Sequence, residues 1–80
     1  MPLTFSPAAP NHYVLKRDGA PIATVFFQRY VERFTHQGFR GRNVSVRGHF
    51  VDAATGIKYD LTKHASRWAE ARAYVAAFYA

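Results

Sequence analysis

Residues Phe26–Gly38 read FFQRYVERFTHQG, and whether this run is strand or helix decides the fold. Phe26, Phe27, Tyr30, Val31 and Phe34 fall at i, i+1, i+4, i+5 and i+8, the spacing of one helix face, while Gln28, Arg29, Glu32 and Arg33 take the opposite face. Gly38 is placed to stop such a helix at its C-terminus. Against this stands the residue type, since β-branched and aromatic side chains favour strands. The periodicity predicts a strand to about Phe26, then a helix from about Phe27 to Gln37. A rival reading begins the helix at Pro21 and loses the strand before it.

Upstream, residues 12–27 (HYVLKRDGAPIATVFF) read as a hairpin about Asp18-Gly19, because glycine tolerates the positive φ that tight hairpin turns require. Tyr13 and Leu15 alternate on one side of that turn, and Pro21 is tolerable at the start of a strand. Residues 1–11 hold prolines at 2, 7 and 10 and are expected to form an irregular, extended arm.

Downstream, GFRGRNVSVRGHFVDAATGIKYDLT (Gly38–Thr62) alternates with a period of two, the mark of a half-buried strand. Val44, Val46, Gly48 and Phe50 share one face before DAATG; Ile57, Tyr59 and Leu61 share one after it. This predicts a second hairpin with Phe50 near Ile57, Gly48 near Tyr59 and Val46 near Leu61, and with Arg47 beside Asp60 and His49 beside Lys58 on its exposed face. Arg40 and Arg42 lead into that face between glycines.

Lys63–Ala80 reads as a helix: alanine, the best helix former, recurs through it, and Trp68, Ala71, Val75 and Phe78 form an apolar stripe. Tyr-Val-x-x-Phe occurs at 30–34 and again at 74–78, as if two helices laid similar faces on one sheet. The fold expected is therefore a small α+β domain over residues 12–80. It has an antiparallel four-stranded sheet of two β-hairpins and two helices, in the order ββαββα, with Trp68, Phe78, Val46, Phe50 and Leu61 in the core.

Eighty residues make one domain, and eleven Lys/Arg against five Asp/Glu give a net charge of +6. That balance favours an acidic partner, either nucleic acid or an acidic protein surface. Without cysteine there is neither a disulfide framework nor a thiolate metal site, which suggests the cytoplasm. The N-terminus lacks the pattern of a signal peptide, and no apolar run is long enough to span a bilayer. His12, His36, His49 and His64 have no three- or four-residue spacing among them, so no metal or other cofactor is expected. No nucleophile elbow or phosphate loop occurs, and an enzyme is not expected.

Arginine outnumbers lysine, and its planar fork suits phosphate and carboxylate recognition. Arg40, Arg42, Arg47 and Lys58, with His49, are the candidate partner-binding residues of the central hairpin, and Arg29 and Arg33 those of the first helix; Phe39 and Tyr59 are possible stacking groups.

Two resemblances follow. Tyr59, Leu61, Thr62 and the run Glu70-Ala71-Arg72-Ala73-Tyr74 resemble the last strand and helix of plant-type AP2 DNA-binding domains, although that family's Trp- and Gly-marked strands are absent. A cysteine-free chain of this size, rich in Ala, Arg and aromatics, is similar to small phage accessory proteins, among them anti-CRISPR inhibitors of type I systems. That resemblance implies a monomeric inhibitor that binds a Cas effector complex without catalysis and blocks target DNA binding. The alternative expectation is a regulatory or architectural protein that binds DNA or RNA directly through the basic hairpin face.

Overall fold

Three tight turns, each with residues at positive φ, fold the first two-thirds of the chain back and forth. In the computed structural model, which describes residues 2–80, Asn11 (φ 62°) follows Pro10 in the first turn. That is the order a type II turn asks for. Asp18 (52°) and Gly19 (82°) make the second, and Gln37 (49°) and Gly38 (80°) the third. Two successive positive φ values are what a type I′ hairpin turn needs. Between them run β1 (Leu3–Ala9), β2 (His12–Arg17), β3 (Ala20–His36) and β4 (Phe39–Asp52), followed by β5 (Lys58–Asp60) and one helix, α1 (Trp68–Phe78). The five strands form a single antiparallel sheet whose spatial order is the chain order.

This overturns the four-stranded, two-helix ββαββα arrangement. Residues 27–37 are not helical; they continue β3, a strand of 17 residues. Gly38 adopts the left-handed conformation expected of a helix stop, but that conformation serves a I′ turn equally well. Residues 3–9, expected to be irregular, form β1 and pair with β2; Pro7 sits where their register shifts, on an edge strand that tolerates a missing donor. The second hairpin forms in a different register: Phe50 pairs with Tyr59, His49 with Asp60 and Val51 with Lys58. The reason is the loop. Asp52 and Ile57 close it backbone to backbone (Asp52 N–H to Ile57 O, 3.0 Å), and the Asp52 carboxylate accepts from the Thr55 N–H (2.9 Å) and hydroxyl (3.0 Å). A two-residue offset keeps every side chain on its face, so only the partners change.

The helix begins at Trp68 rather than Lys63, and covers one face of the sheet's body. Leu15, Ala23, Val25, Phe27 and Phe50 from the strands, Leu61 and Ala65 from the turn after β5, and Ala71 and Val75 from the helix make the core. Phe50 and Leu61 are fully buried as expected, but Phe78 is 47% exposed, and Trp68 and Val46 are partly buried. Trp68 stacks on Tyr13 (centroids 4.1 Å) and meets Phe5 edge-on, whereas Phe50 stacks on Tyr59 (4.9 Å) with Phe78 and Tyr79 at its edges. A side chain at Gly48 would crowd this core. A Cβ there would lie 3.0 Å from the Phe27 ring, 3.1 Å from the Phe26 carbonyl oxygen and 3.2 Å from Leu61 Cβ.

The C-terminus is tied down by polar contacts. Tyr79 donates its hydroxyl to the Asp52 carboxylate (2.7 Å), and the Arg17 guanidinium donates to the Tyr79 carbonyl. The Tyr79 hydrogen bond, with those from Thr55, holds the Asp52 carboxyl below its ordinary value. A carboxyl more acidic in the folded state adds stability above its unfolded pKa and loses it as pH falls through the folded value. Thermal melts should therefore fall as pH drops below about 4, and Asp52→Asn should lower the melting temperature at pH 7 and flatten that slope. Asp60 and Glu70 are also more acidic than usual, so the slope shrinks without vanishing. An unchanged slope in the variant would remove Asp52 from the linkage.

Candidate functional site

β2 pairs with β3 only as far as Phe26, and β5 pairs with β4 only from His49 to Val51. Beyond these limits residues 28–36 and 39–47 pair with each other alone. The result is a two-stranded ribbon that extends from the body and gives the molecule dimensions of 53 × 20 × 18 Å. Nine rungs at about 3.3 Å each make the arm roughly 27 Å long.

Cross-strand pairing assigns each arm residue to a face. On the side that the helix covers lower down, Arg29 lies opposite Val46, Val31 opposite Val44, Arg33 opposite Arg42 and Thr35 opposite Arg40. On the other side, which continues the open face of the sheet, Gln28 lies opposite Arg47, Tyr30 opposite Ser45, Glu32 opposite Asn43, Phe34 opposite Gly41 and His36 opposite Phe39.

The candidate binding residues are thereby divided. Arg29, Arg33, Arg40 and Arg42 come together on the helix side of the arm. Arg47, His49 and Lys58 lie on the open face, so Arg40 and Arg42 do not join Arg47 and Lys58 on one surface. Parity decides this: 40 and 42 are even, like Val44 and Val46, and no bulge intervenes. Arg29 and Arg33, expected on a helix, reach the same face as Arg40 and Arg42 because a strand carries them there.

The four arginines make an unusual surface. Arg33 and Arg42 are direct cross-strand partners, a like-charge pairing that weakens a ribbon unless an anion lies between them. The arm carries five arginines and a single carboxylate, Glu32, and Glu32 is on the other face. A hollow of about 520 Å³ at the tip is lined by Arg33, Phe34, Thr35, Arg40, Gly41 and Arg42. A second, of about 510 Å³, lies where the arm meets the body, and there Arg29 stands with Arg67 beside Tyr13 and Trp68. Positive charge thus runs from the start of the helix to the arm's tip. Arg67 stands at the N-cap of α1.

The open face differs in chemistry. Arg47 lies over the Tyr30 ring at 6.0 Å, and Phe26 packs between His12 and His49 at centroid distances of 4.9 and 5.3 Å. Burial lowers the His49 pKa first, helped by Lys58 and His12 and opposed by Asp60, so this ring is neutral at pH 7 and adds no charge. Tyr30, Phe34 and Phe39 are exposed by 37%, 47% and 77%. Of the two stacking candidates, Phe39 is free at the tip, while Tyr59 is stacked on Phe50. Tyr30 and Phe34 were hidden in the sequence because a helical reading turns them toward the core. Among the described residues no group of three or more His, Cys, Asp or Glu is arranged to hold a metal ion, and no helix is long and apolar enough to cross a membrane.

No protein-family model, curated protein or solved structure matches this chain.

Proposed function

We propose that this chain is a non-catalytic, cytoplasmic binding protein that engages nucleic acid through its arm. One observation carries the reading: Arg29, Arg33, Arg40 and Arg42 share a face with no carboxylate on it, and two of them are directly opposed. A polyanion relieves that repulsion, and guanidinium forks hold phosphates bidentately. Charged side chains on free strand edges also discourage strand addition, and the arm's arginines serve that purpose too. Edge protection alone, however, does not call for four of them on one face and an acid on the other.

A second reading has its own support. Val31 and Val44 are a direct pair on the arginine face, 45% and 44% exposed, set between Arg29 and Arg33. Arginines around an apolar patch are the composition of a protein interface. On this reading the arm docks on an acidic surface of a nucleic-acid-handling complex, such as a type I CRISPR surveillance complex, and blocks target binding.

Salt separates the two. Fluorescence anisotropy with a labelled 20-mer duplex, from about 50 to 300 mM salt, should give a log–log slope near −3.6 if four phosphates are neutralised. Absence of binding at about 50 mM salt to both this duplex and a single strand of the same sequence would reject direct recognition, and capture of the purified effector complex by the same protein would then favour the second reading.

A further inference from the structure

The arginine face does not account for the other side of the arm. There Phe26, Tyr30 and Phe34 follow one another along β3 at intervals of four residues, so successive rings stand about 13 Å apart on one face. The residues directly opposite Tyr30 and Phe34 are small, and the Arg47 guanidinium reaches over the Tyr30 ring at 6.0 Å. Ser45 faces Tyr30 and Gly41 faces Phe34. The end of the Phe34 ring lies over Gly41 so closely that a Cβ there would fall 2.5 Å from it. Gln28, Glu32 and Asn43 fill the intervals with hydrogen-bonding groups, and Phe39 extends the series to the tip. The core and the helix lie on the opposite face of the sheet, and among the described residues no helix or strand packs over this one.

We infer that this open face binds single-stranded nucleic acid, with bases stacked on Tyr30 and Phe34 and the backbone drawn to Arg47 and the arginines of the reverse face. The inference rests on the nucleic-acid reading proposed above and names the strand class. Exposed aromatic rings spaced along a sheet are stacking platforms, and every base has a π-face to offer them. In a duplex those faces are already occupied by neighbouring bases, so the aromatic series has no use there. Charge selects the occupant: Arg47 stands on this face and four further arginines stand behind it on the reverse face, against the single glutamate of the arm, so a polyanion with apolar faces is favoured over a neutral apolar ligand, and a single strand is such a polyanion. Glu32 disfavours a phosphate between Tyr30 and Phe34, and accepts from an exocyclic amino group instead. The backbone therefore runs along the ribbon's edges and the bases lie inward.

The test compares labelled single-stranded and duplex 20-mers of one sequence at about 150 mM salt, using the wild-type chain and Tyr30→Ala/Phe34→Ala. Wild type should prefer the single strand by about tenfold or more, and the double variant should bind it at least ~30-fold more weakly while keeping its duplex affinity. Quenching of 2-aminopurine placed within the strand, lost in the variant, should report the stacking directly. Equal affinity for both strand types with no effect of the double variant would overturn this inference and leave arm-mediated nucleic-acid binding intact. Failure of the wild type to bind either form would overturn both. The side chains are exposed, so circular dichroism should show both proteins equally folded; a lower affinity from a misfolded variant would be recognised by that measurement and by Tyr30→Phe/Phe34→Tyr, which should restore binding.

Discussion

Phe50→Ala is expected to lower the unfolding free energy by about 3–5 kcal/mol, the range found when a large buried aromatic is truncated. Phe50 is the point at which the body is held together. Its ring is fully buried, stacks on Tyr59 from β5, and meets Tyr74, Phe78 and Tyr79 of the C-terminal segment edge-on. Its backbone pairs with Val25 on one side and Tyr59 on the other. Removing the ring leaves a void shared by β3, β4, β5 and α1, and no neighbour can close it without leaving its own contacts. A domain of this size has roughly 4–12 kcal/mol in total, so the variant should melt at least ~12 °C lower or be partly unfolded at room temperature. Phe34→Ala supplies the contrast. That ring is 47% exposed on the arm, and its loss should shift the melting temperature by only a few degrees. If Phe50→Ala and Phe34→Ala melted alike, the division into packed body and free arm would be wrong.

The same division explains what the sequence discloses and what it conceals. The Asp18-Gly19 hairpin, the alternation from Val44 to Phe50 and the helical stripe at Ala71 and Val75 are all legible, because in each a local signal and the buried face agree. Phe26–Gly38 is not legible by spacing. An interval of four residues is one helical turn and is also an even number, so Phe26, Tyr30 and Phe34 share a face in either structure. Gly38 stops a helix or turns a hairpin with the same backbone angles. Residue type breaks the tie: phenylalanine, tyrosine, valine and threonine in this run favour a strand, and β4 with its even alternation lies ready to pair with it. Once the run is a strand, its aromatics separate by parity into Phe27 and Val31 on the helix side and Tyr30 and Phe34 on the open side. The arginine site was legible by residue type but not by grouping, since Arg29 and Arg33 reach Arg40 and Arg42 only when 27–37 is extended.

Reversing Arg33 and Arg42 together is expected to weaken nucleic-acid binding by more than 100-fold. Hydrogen bonds between charged groups contribute about 1.5–3 kcal/mol each, so two phosphate contacts account for about 3–6 kcal/mol, and the new carboxylates add repulsion. The salt slope should flatten by about two units as well, one for each phosphate no longer neutralised. Stability is the control, and the cross-strand register makes it a sharp one. Wild type has like charges opposed at this rung, and Arg33→Glu/Arg42→Glu merely exchanges one like-charge pair for another. Arg33→Glu alone creates an opposite-charge pair, which should stabilise the arm by about 0.2–1 kcal/mol. The single variant should therefore melt no lower than wild type and still bind nucleic acid tenfold or more weakly. Stability and affinity then move in opposite directions, a result that damage to the fold cannot produce. Undiminished affinity in the double variant would remove the arginine face from the site and leave Arg47 and the open face as the surface that binds.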